Sequence, residues 1–362
     1  MATGGRTNAG KSAARQKRKM ILFAIEIIII LVMVAVLYLV MNKTSEGPKL
    51  TVLDEEKLEI PSEVKVMEEE GGTMHGYMNI ALFGVDAETE NQLYKGSRSD
   101  STMIASINLD TGEIRLVSVY RDTYLNRGDD NYSKCNAAYS KGGAEQAVKM
   151  LNMNLDMNIT NFITVGYKGL SEVIDGLGGV YIDVDSEELK HINNYQASVA
   201  GVLKCEYTMV TEPGYQLLNG IQATAYCRIR YTKGDDFQRT ARQREVIKAI
   251  EEQAKKKDLV TLTKVFNDSI DDIYTSLDSA DILKLLEHIA DYKIVDEDGF
   301  PQPDMRANAN MGANGACIIP TDLESNVVWL HHFLFADEDY TVTDSVREYS
   351  QKISSDASKY LQ

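Results

Sequence analysis

The pattern of apolar and polar positions changes character twice along the chain. From Met20 to Met41, 22 residues run almost wholly apolar, enough to cross a bilayer as one helix. The exception, Glu26, lies near the basic end, where it can snorkel or pair with a flanking cation. Residues 42–76 show no sustained period. They contain Pro48, Pro61, the acidic run Glu68-Glu69-Glu70 and Gly71-Gly72, and are expected to form a stalk. From Tyr77 to about Phe335 the pattern is that of one large globular domain, with 336–362 as a tail.

Within that domain, Met78–Val85 is a short apolar run that predicts a buried strand. Thr102–Asn108 and Ile114–Val119 predict two more, joined as a hairpin by Asp110-Thr111-Gly112-Glu113. Helical periodicity covers Gly143–Leu155 and Gly169–Leu177, which stops at Gly178-Gly179. Phe162–Val165 and Val180–Val184 read as strands, Asn219–Ala225 as a short helix, and Phe237–Lys256 as a long one. Further helices are expected near Leu259–Asn267, Ala280–Ala290 and Leu323–Phe335. Strands alternating with helices predict a layered α/β domain. Open α/β sheets place ligands at strand ends, where Asp86, Arg121 and Asp122 stand.

Charge orients the chain. Residues 1–19 carry six bases (Arg6, Lys11, Arg15, Lys17, Arg18, Lys19) and no acid, against Lys43 alone beyond the apolar run. This asymmetry puts residues 1–19 in the cytoplasm as a basic tail, 20–41 in the membrane and the rest outside. A cleaved signal peptide is the rival reading, but its apolar region would be shorter and followed by small residues; here the run ends in Tyr38, Met41 and Asn42. The net charge is −16, and roughly −21 falls beyond residue 41. Such a surface does not seek nucleic acid. Four cysteines (Cys135, Cys205, Cys227, Cys317) allow three pairings. Cys135 and Cys227 lie beside candidate site residues, so a bridge between them and a pair of small buried thiols are both open readings. None of the cysteines has metal-ligand spacing, and His331-His332, being adjacent, do not share a helix face.

Against this acidic background, residues 228–243 concentrate Arg228, Arg230, Arg239 and Arg242 with Asp235 and Asp236. Arg-x-Arg in an extended segment puts two guanidiniums on one face, and Arg239 and Gln243 share a helix face at i and i+4. Converging guanidiniums suit a pyrophosphate, which they can grip bidentately. Other polar clusters stand at the edges of apolar runs: Asp86, Arg98-Ser99-Asp100-Ser101, Arg121-Asp122, and Lys134 with Asn136 and Tyr139.

The segments LFGVD (82–86), RSDSTM (98–103), VSVYRDT (117–123), KCNAAYSKGG (134–143), GLGGVYIDV (176–184), LLNGIQATAYCRIRY (217–231) and DDFQRTARQR (235–244), in this order, resemble the LytR-CpsA-Psr family of envelope enzymes. The resemblance is strong over about 77–256 and looser beyond. It implies a layered α/β/α domain with a central mixed sheet behind a single N-terminal transmembrane helix. The implied activity is transfer of a glycopolymer phosphate (teichoic acid, capsule or similar) from a polyprenyl-pyrophosphate-linked donor to peptidoglycan. By motif position, Asp86 and Asp100 look like carboxylates for Mg2+ (or Mn2+). Arg98, Arg121, Arg228, Arg230, Arg239 and Gln243 look like the pyrophosphate set. Asp122 and Asp236 fall at orienting positions, with Asp122 the candidate base and Asp236 the alternative.

Elementary chemistry agrees: phosphoryl transfer needs its developing charge neutralised, and the acceptor hydroxyl must lose a proton. Two departures touch loop geometry. Val119-Tyr120 stands where the family usually has Ile-Pro, and Gln238 where it has glycine. Phe162, Val165, Leu170, Val173, Ile174, Val246, Ile247 and Ile250 are expected either to line an apolar tunnel for the polyprenyl chain or to fill the core. A lipid pyrophosphate hydrolase and a lipid-binding envelope regulator are the alternative functions. The short predicted cytoplasmic tail leaves no room for a DNA-binding fold.

Overall fold

The computed structural model describes residues 53, 55–69, 71–87 and 90–361. The expected basic tail, the transmembrane helix and the first part of the stalk lie outside them. Among the described residues no helix is long and apolar enough to cross a membrane. Residues 48–362 form one compact unit with its own hydrophobic core.

That unit begins before the expected boundary. A 3-10 turn at Glu55–Leu58 is followed by helix α1 (Ser62–Glu69). Leu53, Leu58, Val64 and Met74 are all buried in the main core. These few apolar residues have no regular spacing, but the turn and the short helix bring each of them to the same side. The stalk expectation over this stretch is therefore corrected.

Strand β1 (Tyr77–Val85) and α2 (Glu90–Tyr94) precede the hairpin of β2 (Ser99–Asn108) and β3 (Glu113–Val119). The Asn108 side chain accepts from the Asp110 and Thr111 N–H groups, and Gly112 takes φ 73°, closing the predicted turn. A small ribbon, β4 (Tyr124–Asn126) and β5 (Tyr132–Lys134), leads into α3 (Asn136–Leu155), which bends at Gly143. Next come β6 (Asn161–Val165), α4 (Tyr167–Gly176), β7 (Val180–Val184), α5 (Ser186–Leu203), β8 (Gly214–Leu218), α6 (Gly220–Tyr226) and α7 (Asp235–Ala254). The chain continues through α8 (Leu259–Ser269), β9 (Ile273–Thr275), α9 (Ser279–Glu287), β10 (Lys293–Phe300), β11 (Arg306–Asn310), β12 (Ala316–Pro320), α10 (Leu323–Phe335) and α11 (Asp344–Ala357).

The central sheet runs β10-β3-β2-β1-β6-β9 and is mixed. β1/β2, β2/β3 and β6/β9 are antiparallel; β1/β6 and β3/β10 are parallel. Side-chain alternation along β1 sends Ala81, Phe83 and Val85 into the main core with α3, α10 and α11. Ile80 and Leu82 go to the other face, where Ile282 and Leu285 of α9 cover them. A second core lies around the β7–β8 ribbon and helices α4 to α7.

Five of the eight apolar tunnel candidates belong to these two cores. Phe162 is fully buried in the first; Ile174 and Val246, with Leu170 and Ile250 against them, belong to the second. Residues 336–362 are not a loose tail. Val346, Ile353 and Ala357 of α11 are fully buried in the main core. The Thr343 N–H and hydroxyl donate to the buried Asp156 carboxylate at 2.8 and 2.7 Å.

Candidate active site

The register of β1 on β2 pairs Gly84 with Ser101 and Val85 with Ser99, so Asp100 is the extra residue of a β-bulge. A bulge bends the strand and re-aims a side chain. Here it belongs to the sheet end where Asp86 leaves β1 and Arg121 follows β3. A glycine at 84 permits the close approach: a Cβ there would lie 3.0 Å from Ser101 Cβ.

Three guanidiniums meet the Asp100 carboxylate. Arg121 Nη1 lies 3.0 Å from Oδ1, and Arg230 Nη2 and Arg239 Nη1 lie 3.2 and 3.7 Å from Oδ2. Arg239 also donates to the Asp100 carbonyl at 3.2 Å. Asp236, in the first turn of α7, ties the group together through Arg239 Nη2 (3.1 Å) and Arg230 Nε (3.6 Å). On the other side Asp122 Oδ1 pairs with Arg121 Nε and Lys134 Nζ, both at 3.3 Å. Four cations and three carboxylates are thus gathered in an otherwise acidic molecule.

Burial and charge pull the guanidiniums in opposite directions. Burial works against the Arg121 charge, but Asp100, Asp122 and Asp236 outweigh it and raise its pKa. Arg239 is more enclosed, its side chain only 3% exposed. Burial there wins over Asp236 and lowers its pKa to about 10, so it still carries its charge at neutral pH. Its Nε has no hydrogen-bond partner among the described residues. A buried donor without a partner is expensive.

Arg228 and Arg230 do not project together from an extended segment, as Arg-x-Arg had suggested. The chain leaves α6 in a helical turn, with Arg228 N–H donating to Ala225 and Ile229 N–H to Tyr226. Arg230 goes to Asp100, whereas Arg228 lies 4.4 Å over the Tyr167 ring and donates to Ser198 Oγ at 3.2 Å. Burial, and then the nearby Asp86 carboxylate, raise the pKa of the Tyr167 hydroxyl. Asp86, Tyr167 and Arg228 form a second group adjoining the first, since Asp100 also acts on the Tyr167 hydroxyl.

Of the remaining expected residues, Arg98 is exposed and has no ion-pair partner among the described residues. Gln243 donates to the Cys227 carbonyl at 3.4 Å. Arg242, inside the same motif, is structural: it is buried on Glu188 (2.6 Å) and holds the Ile229 carbonyl (3.1 Å) and the Thr232 hydroxyl (2.6 Å). All four cysteines are free, so the open Cys135–Cys227 bridge is not formed. Cys135 instead donates its thiol to the Tyr120 carbonyl, and burial pushes it up to about 12.

Tyr167, Ser198, Arg306 and Tyr195, whose ring lies 5.9 Å from Arg228, belong to the surroundings of the site although no motif marks them. Arg306 lies 3.9 Å over Phe237 and 5.0 Å over Tyr120, which meet edge to face at 4.7 Å. This cation–π stack holds Tyr120 where the resembled family has proline. Gly299 makes room for it: a Cβ there would lie 2.0 Å from the Tyr120 hydroxyl.

A magnesium ion takes one or two carboxylates and completes its shell with phosphate oxygens and water. Asp86 and Asp100 stand at neighbouring strand ends and are the carboxylates that would supply such a half-shell, while both oxygens of Asp100 are paired with guanidiniums here. They do not make a full protein cage: among the described residues no group of three or more His, Cys, Asp or Glu could hold a metal.

A family model described as the LytR_cpsA_psr family matches residues 36–319. Polyisoprenyl-teichoic acid–peptidoglycan teichoic acid transferase TagU of Enterococcus faecalis is 32% identical over 174 residues, 48% of this chain and 52% of the relative. Biofilm regulatory protein A of Streptococcus mutans is 30% identical over 181 residues, 48% of this chain and 43% of the relative. The chain spans about half the length of the curated relatives it matches. Among solved structures, the crystal structure of B. subtilis TagV superposes with a TM-score of 0.58 at 23% identity, covering 74% of this chain and 98% of that one. That likeness shows a shared mixed α/β fold.

Proposed function

The chain belongs to the LytR-CpsA-Psr family, and from that membership we propose that it is a glycopolymer phosphotransferase. Its donor is a polyprenyl-pyrophosphate-linked glycan such as a teichoic acid or capsule precursor, and its acceptor is peptidoglycan. The observation that carries this reading is the Asp100 bulge ringed by Arg121, Arg230 and Arg239. The relative named as a teichoic acid transferase supports it. The apolar run at 20–41 anchors the protein in the cell membrane, with residues 1–19 cytoplasmic and the folded unit outside.

In this account Arg121, Arg230 and Arg239 exchange part of their contact with Asp100 for the donor pyrophosphate. Arg228, Arg98 and Gln243 contribute from the rim. Once engaged, the guanidiniums stabilise charge developing in the transition state. The acceptor hydroxyl oxygen bonds to the glycan-bearing phosphorus while the bond from that phosphorus to the bridging oxygen breaks. Polyprenyl phosphate leaves. Asp122 takes the hydroxyl proton: both of its ion pairs run through Oδ1, which leaves Oδ2 for the task. Both oxygens of Asp236, the alternative base, face guanidiniums, which gives it an orienting role. Asp86 and Asp100 would hold Mg2+ (or Mn2+), which supplies further neutralisation of phosphate charge when bound.

The test is to incubate residues 48–362 with a polyprenyl-pyrophosphate glycan, Mg2+ and a peptidoglycan fragment, and to identify products by mass spectrometry. The expected product is a glycan-phosphate adduct on the fragment, lost with a chelator and with Arg121→Ala. Free glycan phosphate without an adduct would mean a hydrolase. Donor bound but unchanged across several glycans would mean a carrier or regulator.

A further inference from the structure

Two separate segments supply the charges around Asp100. Arg121 and Asp122 follow β3, whereas Asp236 and Arg239 belong to the start of α7. In the proposed reaction the donor takes over part of the arginines' contact with Asp100, so the ionic ties between the segments weaken when the site is loaded. The first turn of α7 is also poorly secured from within. Its N-cap, Gly234, makes no side-chain cap, and Asp235 takes φ 45°, a left-handed conformation that is strained in a residue with a Cβ.

An uncharged tie joins the same two segments. Tyr120, directly before Arg121, is buried and meets Phe237, directly after Asp236, edge to face at 4.7 Å with 89° between planes. Arg306 of β11 completes the stack, its guanidinium carbon 3.9 Å from the Phe237 ring centre and 5.0 Å from that of Tyr120. Arg306 Nη1 donates to the Pro301 carbonyl at 2.8 Å, which fixes the guanidinium at the end of β10. The other strand of the same ribbon, β12, reaches the Arg121-Asp122 segment directly, through the Ile318 N–H donating to the Asp122 carbonyl at 2.9 Å. The β11–β12 ribbon therefore braces that segment at two points, one of them a side chain that also grips α7.

We infer that Arg306 is a positioning residue for the transfer reaction: through Tyr120 and Phe237 it keeps the Arg121-Asp122 segment and the first turn of α7 at a fixed spacing while the donor draws the arginines away from Asp100. This inference rests on the transferase reading. Arg306 itself touches no reacting atom. Its planar cation is attracted to the faces of both rings, as an aliphatic side chain of the same length would not be. Without it the rings can slide past each other, and a displacement near 1 Å at a reacting centre is worth about a hundredfold in rate.

The experiment measures steady-state transfer by the full chain in detergent, from a polyprenyl-pyrophosphate glycan to a peptidoglycan fragment with Mg2+. Arg306→Met should lower kcat by roughly ten- to a hundredfold while the donor KM stays within about threefold, at a melting temperature close to the parent's. Arg306→Lys, which keeps a cation over the rings, should recover much of the loss. In a Tyr120→Leu background Arg306→Met should cost far less than in the parent, because the two residues act through one stack. If Tyr120→Leu does not fold, Phe237→Leu takes its place in the cycle. The same factor in both backgrounds, or a loss confined to the donor KM, would make Arg306 a direct donor contact and overturn the inference. So would an unchanged kcat in folded Arg306→Met, or a fall in melting temperature that accounts for all the lost activity. No transfer by the parent chain would be the failure of the transferase reading itself, and this inference would fall with it.

Discussion

Arginines of the motifs do different work, and their partners decide which. Arg121 faces Asp100 and Asp122 at a partly exposed sheet end, whereas Arg242 is buried on Glu188. Removing one partner of a buried pair strands the other charge and costs about 3–5 kcal/mol. Arg242→Ala is therefore expected to lower the melting temperature of residues 48–362 sharply. Arg121→Ala should leave melting nearly unchanged and reduce transfer on the order of a hundredfold; calorimetry and the product assay separate the two. A second residue-scale prediction concerns His331. It is fully buried, stacked 3.6 Å from Tyr340, and bonded to the Leu155 carbonyl. Burial lowers its pKa from 6.5 to about 4. Below pH 6.5 the unfolded chain takes up a proton that the native state refuses. This contribution to stability should hold above 6.5 and decline as pH falls toward 4. His331→Phe should flatten that part of the melting curve, and an unchanged slope would assign acid sensitivity elsewhere. At this scale the charged members of the site were legible, because Arg and Asp stand out at strand ends in an acidic chain. Tyr167, Ser198 and Arg306 were not, because each becomes relevant only through packing of distant segments.

Elements with a strong period were readable. The β2–β3 hairpin declares itself by two short strand-like runs around the Asp-Thr-Gly turn, and Leu323–Phe335 forms a helix over the expected span. Elements made of polar or charged residues were not. β10 reads KIVDEDGF and yet adds a parallel edge strand to β3; β11 reads RANAN and needs β12 to exist as a strand at all. The bulge at Asp100 was also invisible, because it is a property of the β1–β2 register and not of either strand. Its importance can be tested at Gly84. A Cβ there lies 3.0 Å from that of Ser101, so Gly84→Val must push β1 and β2 apart or shift the bulge. The expected stability cost is about 1–3 kcal/mol. Because a displacement near 1 Å at a reacting centre is worth about a hundredfold, transfer should fall far more than the melting temperature suggests. Near-normal transfer in this variant would show that the bulge does not position Asp100 for function.

For the molecule as a whole, sequence periodicity placed the domain correctly in class but too narrowly in extent. Leu58 and Val64 on one side and Val346 and Ile353 on the other are fully buried in the same core, although their segments read as stalk and tail. A unit cut at Phe335 would lose α11, exposing apolar surface worth about 1.5–3 kcal/mol per large side chain. It would also strip both Thr343 hydrogen bonds from Asp156. Against a typical net stability of about 5–15 kcal/mol, residues 48–335 are expected not to unfold cooperatively, whereas 48–362 should. The central claim is that the arginines around Asp100 form a pyrophosphate grip. The measurement that tests it most directly is the affinity of residues 48–362 for a short-chain polyprenyl pyrophosphate, by titration calorimetry, in the parent and in Arg121→Ala. The account predicts binding that weakens by at least about tenfold in the variant at an unchanged melting temperature. Equal affinity in a folded variant would contradict it and leave the cluster as an ion-pair network without a ligand.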